Sequence, residues 1–273
     1  MIGSVGRGVP DIIEMVHHTR LECTIGSAAA MDRALRLAVH HCRGREAFGQ
    51  RLVDQPLMRH LLADLMVESK AATMLAMRLA RAFDEGEERL ARVAVAAGKF
   101  HICKRQPQFV YECLEILGGV GYCETFPLAA MFRASPLNSV WEGSGNVMAL
   151  DVLRAIGRDE GIVGVLEEVW EEVKGRDEGV DEFWRTDVIG GVERLRGMES
   201  LEMEMHGRAV ASAITMGLQC VELTKAVEAG ICSDLELRMF VDKLEGGTGN
   251  YGSAIRRVDK DVYGKYGSII EQY

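Results

Sequence analysis

From Pro56 onward the apolar residues Leu57, Leu61, Leu62, Leu65, Met66, Ala72, Leu75, Ala76, Leu79 and Phe83 recur at steps of three and four. That spacing lays an apolar stripe along one side of an α-helix and does not suit a strand, whose side chains alternate between faces. Proline fits a first helical turn, so the helix is predicted to start at Pro56 and to stop near 84–86, at Gly86. Three other segments carry the same signature. Residues 19–42 present Leu21, Ile25, Ala28, Ala29, Leu35 and Ala38, a stripe rich in small side chains that lets helices approach closely. Residues 89–117 form another helix, closed by Gly118 and Gly119, in which Pro107 predicts a kink. The last follows Gly143, with Val147, Leu150, Leu153 and Ile156 on one side. Four helices of this kind predict an all-α fold, an antiparallel four-helix bundle over residues 1–156.

Beyond residue 156 the helical spacing continues at 162–173, 183–195, 201–228 and 235–244, separated by glycines at 175, 179, 230 and 246–249. Residues 157–273 are therefore expected to form a second, helical extension. Charge divides at the same place. Residues 1–156 carry 18 basic and 17 acidic side chains, whereas residues 157–273 carry 14 and 24. An acidic segment repels phosphate backbones, which argues against nucleic acid as its partner. No apolar run reaches the length of a membrane span, and the first residues have neither the charged start nor the apolar core of a secretory signal. A soluble, intracellular, by default cytoplasmic protein is expected. The seven cysteines lack any C-x-x-C pair and read as reduced, mostly buried thiols. The two adjacent histidine pairs, at 17–18 and 40–41, point about 100° apart on a helix, so no metal site is expected.

The stretch 116–154 carries the chemistry. A glycine turn, Gly118, Gly119 and Gly121, follows a helix, which is the wrong context for a strand-turn-helix phosphate loop; by itself it reads as a helix stop. Glu142, between Trp141 and Gly143, stands at the mouth of the next helix. Taken alone it reads as an ordinary acid favoured by a helix dipole.

Five ordered motifs change that balance. They are R-x-x-F-G at Arg45, Phe48 and Gly49; D-Q-P-L at 54–57; L-A-D at 62–64; G-G-x-G-Y at 118–122; and E-G-S at 142–144. Together they resemble the C-terminal helical domain of the acyl-CoA dehydrogenase and oxidase superfamily, over roughly residues 2–156. W-E-G-S-G-N and the variant glycine turn are most similar to the branch that holds the bacterial adaptive-response protein to DNA alkylation, which also carries a helical C-terminal extension.

The resemblance implies an FAD-dependent dehydrogenation of an acyl-CoA thioester. Glu142 takes the position of the base that removes the α-proton, a task for a carboxylate in a water-poor setting, with Trp141 as an apolar wall. The backbone N–H of Glu142 is then a donor to the thioester carbonyl. Arg45 matches the arginine that reaches the FAD pyrophosphate of a neighbouring subunit, and Phe48 and Gln55 fall on further FAD positions. Gly118, Gly119 and Gly121 match the turn near the adenosine half of FAD, and Ser144 replaces a threonine that faces the cofactor. Arg20 sits where an arginine often lies near the CoA or the base, although a solvated helix charge is an equal reading. The chain departs from the pattern at Glu115, where a glutamine is usual, and at Ala134, which replaces the aspartate after Arg133. The resemblance also implies a homo-oligomer, dimer or tetramer, through the bundle.

The superfamily's N-terminal helical and middle β-domains have no counterpart here, so a truncated or mispredicted gene product is expected, its flavin pocket short of one wall. Two alternatives stand beside the enzyme. One is a non-catalytic helical assembly module. The other is a nucleic-acid-binding protein of the alkylation response, which the acidic extension weakens.

Overall fold

The computed structural model describes residues 3–246, 251 and 260–273. Helix α1 spans Gly8–Gly44 and leads through a small hairpin, β1 (Glu46–Ala47) and β2 (Gln50–Arg51), into α2 (Pro56–Asp84). Helix α3 (Glu88–Ile116) is followed by the short α4 (Gly119–Tyr122) and α5 (Pro127–Ala134), and then by α6 (Gly145–Arg158). The remaining elements are α7 (Gly161–Glu171), α8 (Glu178–Phe183), a π-helical turn over Trp184–Ile189, α9 (Gly190–Leu195), α10 (Ser200–Glu228), α11 (Asp234–Gly246) and α12 (Lys260–Glu271). The fold is all-α, and α1, α2, α3 and α6 form its bundle.

Helix α1 starts well before the predicted residue 19. Pro10 is tolerated in its first turn, where backbone N–H groups have no helical partner anyway. Four apolar residues of the expected stripes face outward: Leu57, in the first turn of α2, is 88% exposed, and Ile25, Ala29 and Val147 are also exposed. The predicted helix at 183–195 includes the π turn, which has no counterpart in apolar spacing, and α12 was not legible. The glycines at 247 and 249 lie outside the described residues. Pro107 sits within α3, which runs unbroken.

Direction within the bundle follows from side-chain partners. Arg20 of α1 and Arg92 of α3 share Asp151 of α6. Further along, Ser27 meets Cys103, and Cys42 neighbours Cys113. Helices α1 and α3 therefore run the same way, packed closely through small residues such as Ala28, Ala34 and Ala38, while α2 and α6 run opposite. The seven cysteines are free thiols, with Cys123 alone exposed.

The later helices share the bundle's core: Trp184, Ile214, Leu218, Phe240 and Ile269 join Leu35, Leu65, Leu75, Phe109 and Met148 in one buried cluster. Each such side chain contributes about 1.5–3 kcal/mol by leaving water. A buried ionic hub fixes the same contact. Glu68 on α2 accepts hydrogen bonds from Arg105 Nε at 2.8 Å, Lys243 Nζ at 3.0 Å and the Tyr251 hydroxyl at 2.8 Å. Lys243 also pairs with Asp64 at 2.5 Å, which gives the aspartate of the L-A-D motif a partner from α11.

Candidate functional site

The glycine turn and E-G-S motif are brought into use by what lies between them. After α5, a 3-10 turn at Leu137–Ser139 leads to Trp141 and Glu142, and Ser144 then occupies the N-cap of α6. Glu142 has φ +57° and Gly143 φ +107°, so the chain makes a left-handed turn before the helix. Among the described non-glycine residues, Phe48 and Glu142 alone have positive φ. Such a conformation costs a non-glycine residue about 1–2 kcal/mol and persists only when its surroundings enforce it.

Two cations, the half-buried Arg20 and the buried Lys99, enforce it at Glu142. Arg20, on α1, donates Nε to the Glu142 carbonyl at 3.0 Å and Nη1 to Asp151 at 2.8 Å. Arg92 closes on the same aspartate through two bonds of 2.9 and 2.7 Å. Burial disfavours the Asp151 anion, but the two guanidiniums outweigh it and hold its carboxyl below the usual range. Lys99, on α3, donates Nζ to the Gly143 carbonyl at 2.8 Å and to the Asn138 carbonyl at 3.0 Å. Asn138 in turn accepts from the Trp141 indole and donates to Ser27.

The loop thus turns its carbonyls inward. Because a trans peptide sets N–H opposite C=O, the N–H groups of Gly143 and Ser144 are directed the other way. Among the described residues, the N–H groups of Glu142, Gly143 and Ser144 make no hydrogen bond within the chain, and the Ser144 hydroxyl has no partner. Glu142 is partly exposed and Trp141 is 50% exposed. Two clefts, of about 700 Å³ beside His17 and Phe83 and about 640 Å³ beside Arg78 and Glu172, do not include Glu142. Glu142 therefore stands on an open face, and Trp141 does not by itself wall it off from water.

The other predicted residues gather at the far end of the bundle. Arg45 caps the C-terminus of α1 with an exposed guanidinium. Phe48 and Gly49 form the hairpin turn, both with positive φ, and Phe48 is 97% exposed. Gln55 supports that hairpin by donating Nε2 to the Ala47 carbonyl at 3.0 Å. Because α1 and α3 run in parallel, Gly118, Gly119 and Gly121 lie at this same end, roughly 25 Å along α3 from Lys99. Space around Gly118 and Gly119 is open, whereas a Cβ at Gly121 would meet the Leu114 carbonyl at 2.3 Å. Glu115 is exposed and receives the Tyr111 hydroxyl, and Arg133 pairs with Glu124.

The structure therefore unites Arg20 with Glu142 and Ser144, and separates them from Arg45, Phe48, Gln55 and the glycines. Sequence reasoning missed Lys99, Arg92 and Asp151. For Lys99 a signal existed: it is the single charged residue in the apolar run VAVAAGKFHIC at 93–103.

The helical fold matches a known domain. The family model for the acyl-CoA dehydrogenase C-terminal domain fits residues 6–157. The chain belongs to the acyl-CoA dehydrogenase family. It is 45% identical over 185 residues to the AidB protein of Escherichia coli (strain K12), covering 66% of this chain and 34% of that one. Identity to acyl-CoA dehydrogenase family member 11 of Caenorhabditis elegans is 30% over 217 residues, 77% of this chain and 35% of the relative. The chain spans about a third of the length of these relatives. Among solved structures, Caenorhabditis elegans ACDH-11 in complex with C11-CoA superposes with TM-score 0.76 at 24% identity, over 89% of this chain and 44% of that one. The FAD complex of a Bacillus anthracis acyl-CoA dehydrogenase does so with TM-score 0.73 at 15% identity, over 99% and 57%. Both likenesses extend the shared fold into residues after 157.

Proposed function

We propose that this chain is the base-bearing helical part of an FAD-dependent acyl-CoA dehydrogenase, with Glu142 as the base. The observation that carries the reading is the Glu142 loop: a strained carboxylate, braced by Arg20 from 122 residues away, beside unbonded N–H groups. Glu142 would remove the α-proton of an acyl thioester. The N–H of Glu142 would receive the thioester oxygen as negative charge develops there, which needs donors with no other partner. Arg20 would keep the base in place. The residues fit a flavin dinucleotide in two groups: the free Ser144 hydroxyl beside the base, and Arg45, Phe48, Gln55 and the open turn of Gly118, Gly119 and Gly121 at the other end. When bound, FAD would take up the β-hydrogen as hydride.

The separation of the two groups supports a homo-oligomer in which one chain's Arg45 end completes the Glu142 end of another. Acyl-CoA as substrate is supported by the C11-CoA complex of the ACDH-11 protein. A role in assembly alone is favoured by one observation, the open face around Glu142.

The test is the visible spectrum of the purified chain with FAD. An acyl-CoA should bleach the flavin, and Glu142→Gln should slow bleaching by roughly 10²–10⁴-fold. A chain that ignores FAD would leave the assembly role.

A further inference from the structure

We infer that Lys99 is a positioning residue, whose buried ammonium holds the Glu142–Gly143 turn in its left-handed conformation by binding the Gly143 and Asn138 carbonyls. The inference rests on the reading of Glu142 as the base.

Lys99 is 1% exposed, and burying an ammonium costs several kcal/mol unless it is well paired. Lys243, buried in the same molecule, has two carboxylates, Asp64 and Glu68. Lys99 has no ion pair within 4.0 Å among the described residues. Its two hydrogen bonds, 2.8 and 3.0 Å, both go to the segment that carries Glu142. The groups facing it are Cys23 and Arg20 from α1, Cys103 from its own helix, and Glu142. Burial and Arg20 disfavour its charge, while the thiols and Glu142 favour it. A Met or Leu would fill the same space on α3 without that cost. The amine satisfies what an apolar side chain cannot, two inward carbonyls on either side of Trp141 and Glu142.

Division of labour follows from the geometry. Arg20 fixes the Glu142 carbonyl and Lys99 fixes the next one, so both peptides of the turn are held and their N–H groups stay directed away from the core. With Lys99 removed, the Gly143 carbonyl has no partner. The turn can then relax toward ordinary φ, swinging the Glu142 side chain away.

The experiment uses the full chain labelled with ¹³C,¹⁵N-glutamate, the Glu142 resonance being identified by its loss in Glu142→Gln. In the wild type the Glu142 Cα and Cβ shifts should be those of left-handed backbone. In Lys99→Met they should move toward extended values while circular dichroism remains helical. Lys99→Gln, which keeps one donor, should lie between and serves where Lys99→Met does not fold. Where flavin bleaching is measurable, Lys99→Met should slow it by roughly tenfold to a hundredfold at unchanged acyl-CoA KM. A lowered melting temperature with unmoved Glu142 shifts would overturn the inference, as would moved shifts with undiminished bleaching. If the wild type ignores FAD, the proposed function falls, and the shifts alone then decide whether Lys99 sets the turn.

Discussion

Phe48 and Glu142 share a backbone conformation that aromatic and long side chains avoid, and each is held by a different device. At Glu142 the constraint comes from two cations inside the bundle. At Phe48 it comes from the two-residue hairpin, whose turn demands positive φ at both central positions and favours Asn, Asp or Gly there. A phenyl ring that is 97% exposed gains nothing within the chain to offset about 1–2 kcal/mol of strain. Phe48→Asn should therefore raise stability by about 1 kcal/mol in thermal melts, and should weaken flavin retention or self-association measured by sedimentation. A melt that falls instead would mean the ring is supported within the chain. At this scale the sequence was partly legible. Motif resemblance picked out Glu142, Phe48 and Arg20, but Lys99 passed as one polar residue on an apolar helix. Its partners are carbonyls around forty residues away, and carbonyl positions leave no trace in side-chain identity.

Among the elements, the four bundle helices were legible because each carries a long stripe at helical steps, and their ends fell near glycines and Pro56. The hidden features are those in which period is interrupted. The π turn at Trp184–Ile189 places Trp184 in the core, stacked on Trp170 at 6.4 Å between ring centroids, with its indole donating to the Gly217 carbonyl at 3.2 Å. Helix α10 passes so close there that a Cβ on Gly217 would meet Val188 at 2.8 Å and the Trp184 ring at 3.1 Å. Gly217→Ala should cost about 1–3 kcal/mol in a denaturant titration and alter the near-ultraviolet signal of the tryptophan pair. An unchanged midpoint would show that α10 can shift aside. Helix α12 was missed although Tyr266, Ile269 and Ile270, all buried, stand at helical steps, because Gly264 and Gly267 lower its propensity.

For the whole molecule, the acidic residues 157–273 are bound to the near-neutral bundle by shared core and by the Glu68 hub. Burial alone would raise the Glu68 pKa, but Lys243 and Arg105 beside it hold the carboxyl well below its ordinary value of 4.5. A carboxylate depressed on folding contributes stability above its unfolded pKa and loses it as the pH falls, so this contribution should fade below about pH 4.5. Glu68→Gln removes the carboxylate that Arg105 and Lys243 share in the core and should cost about 3–5 kcal/mol at neutral pH, while flattening the acid side of the stability profile. Thermal melts from pH 3 to 7 on both proteins would check this. An unchanged acid slope would mean that Glu68 is not the group that couples the later helices to protons.

Local patterning determined the all-α class, the four long helices and the family, because apolar period and short motifs are properties of neighbouring residues. Tertiary structure decided the parallel course of α1 and α3, the gathering of Arg20, Lys99 and Glu142 at one point, and the distance of that point from Arg45 and the glycine turn. Those facts depend on which helix faces cross, and a crossing joins residues that the chain itself keeps far apart.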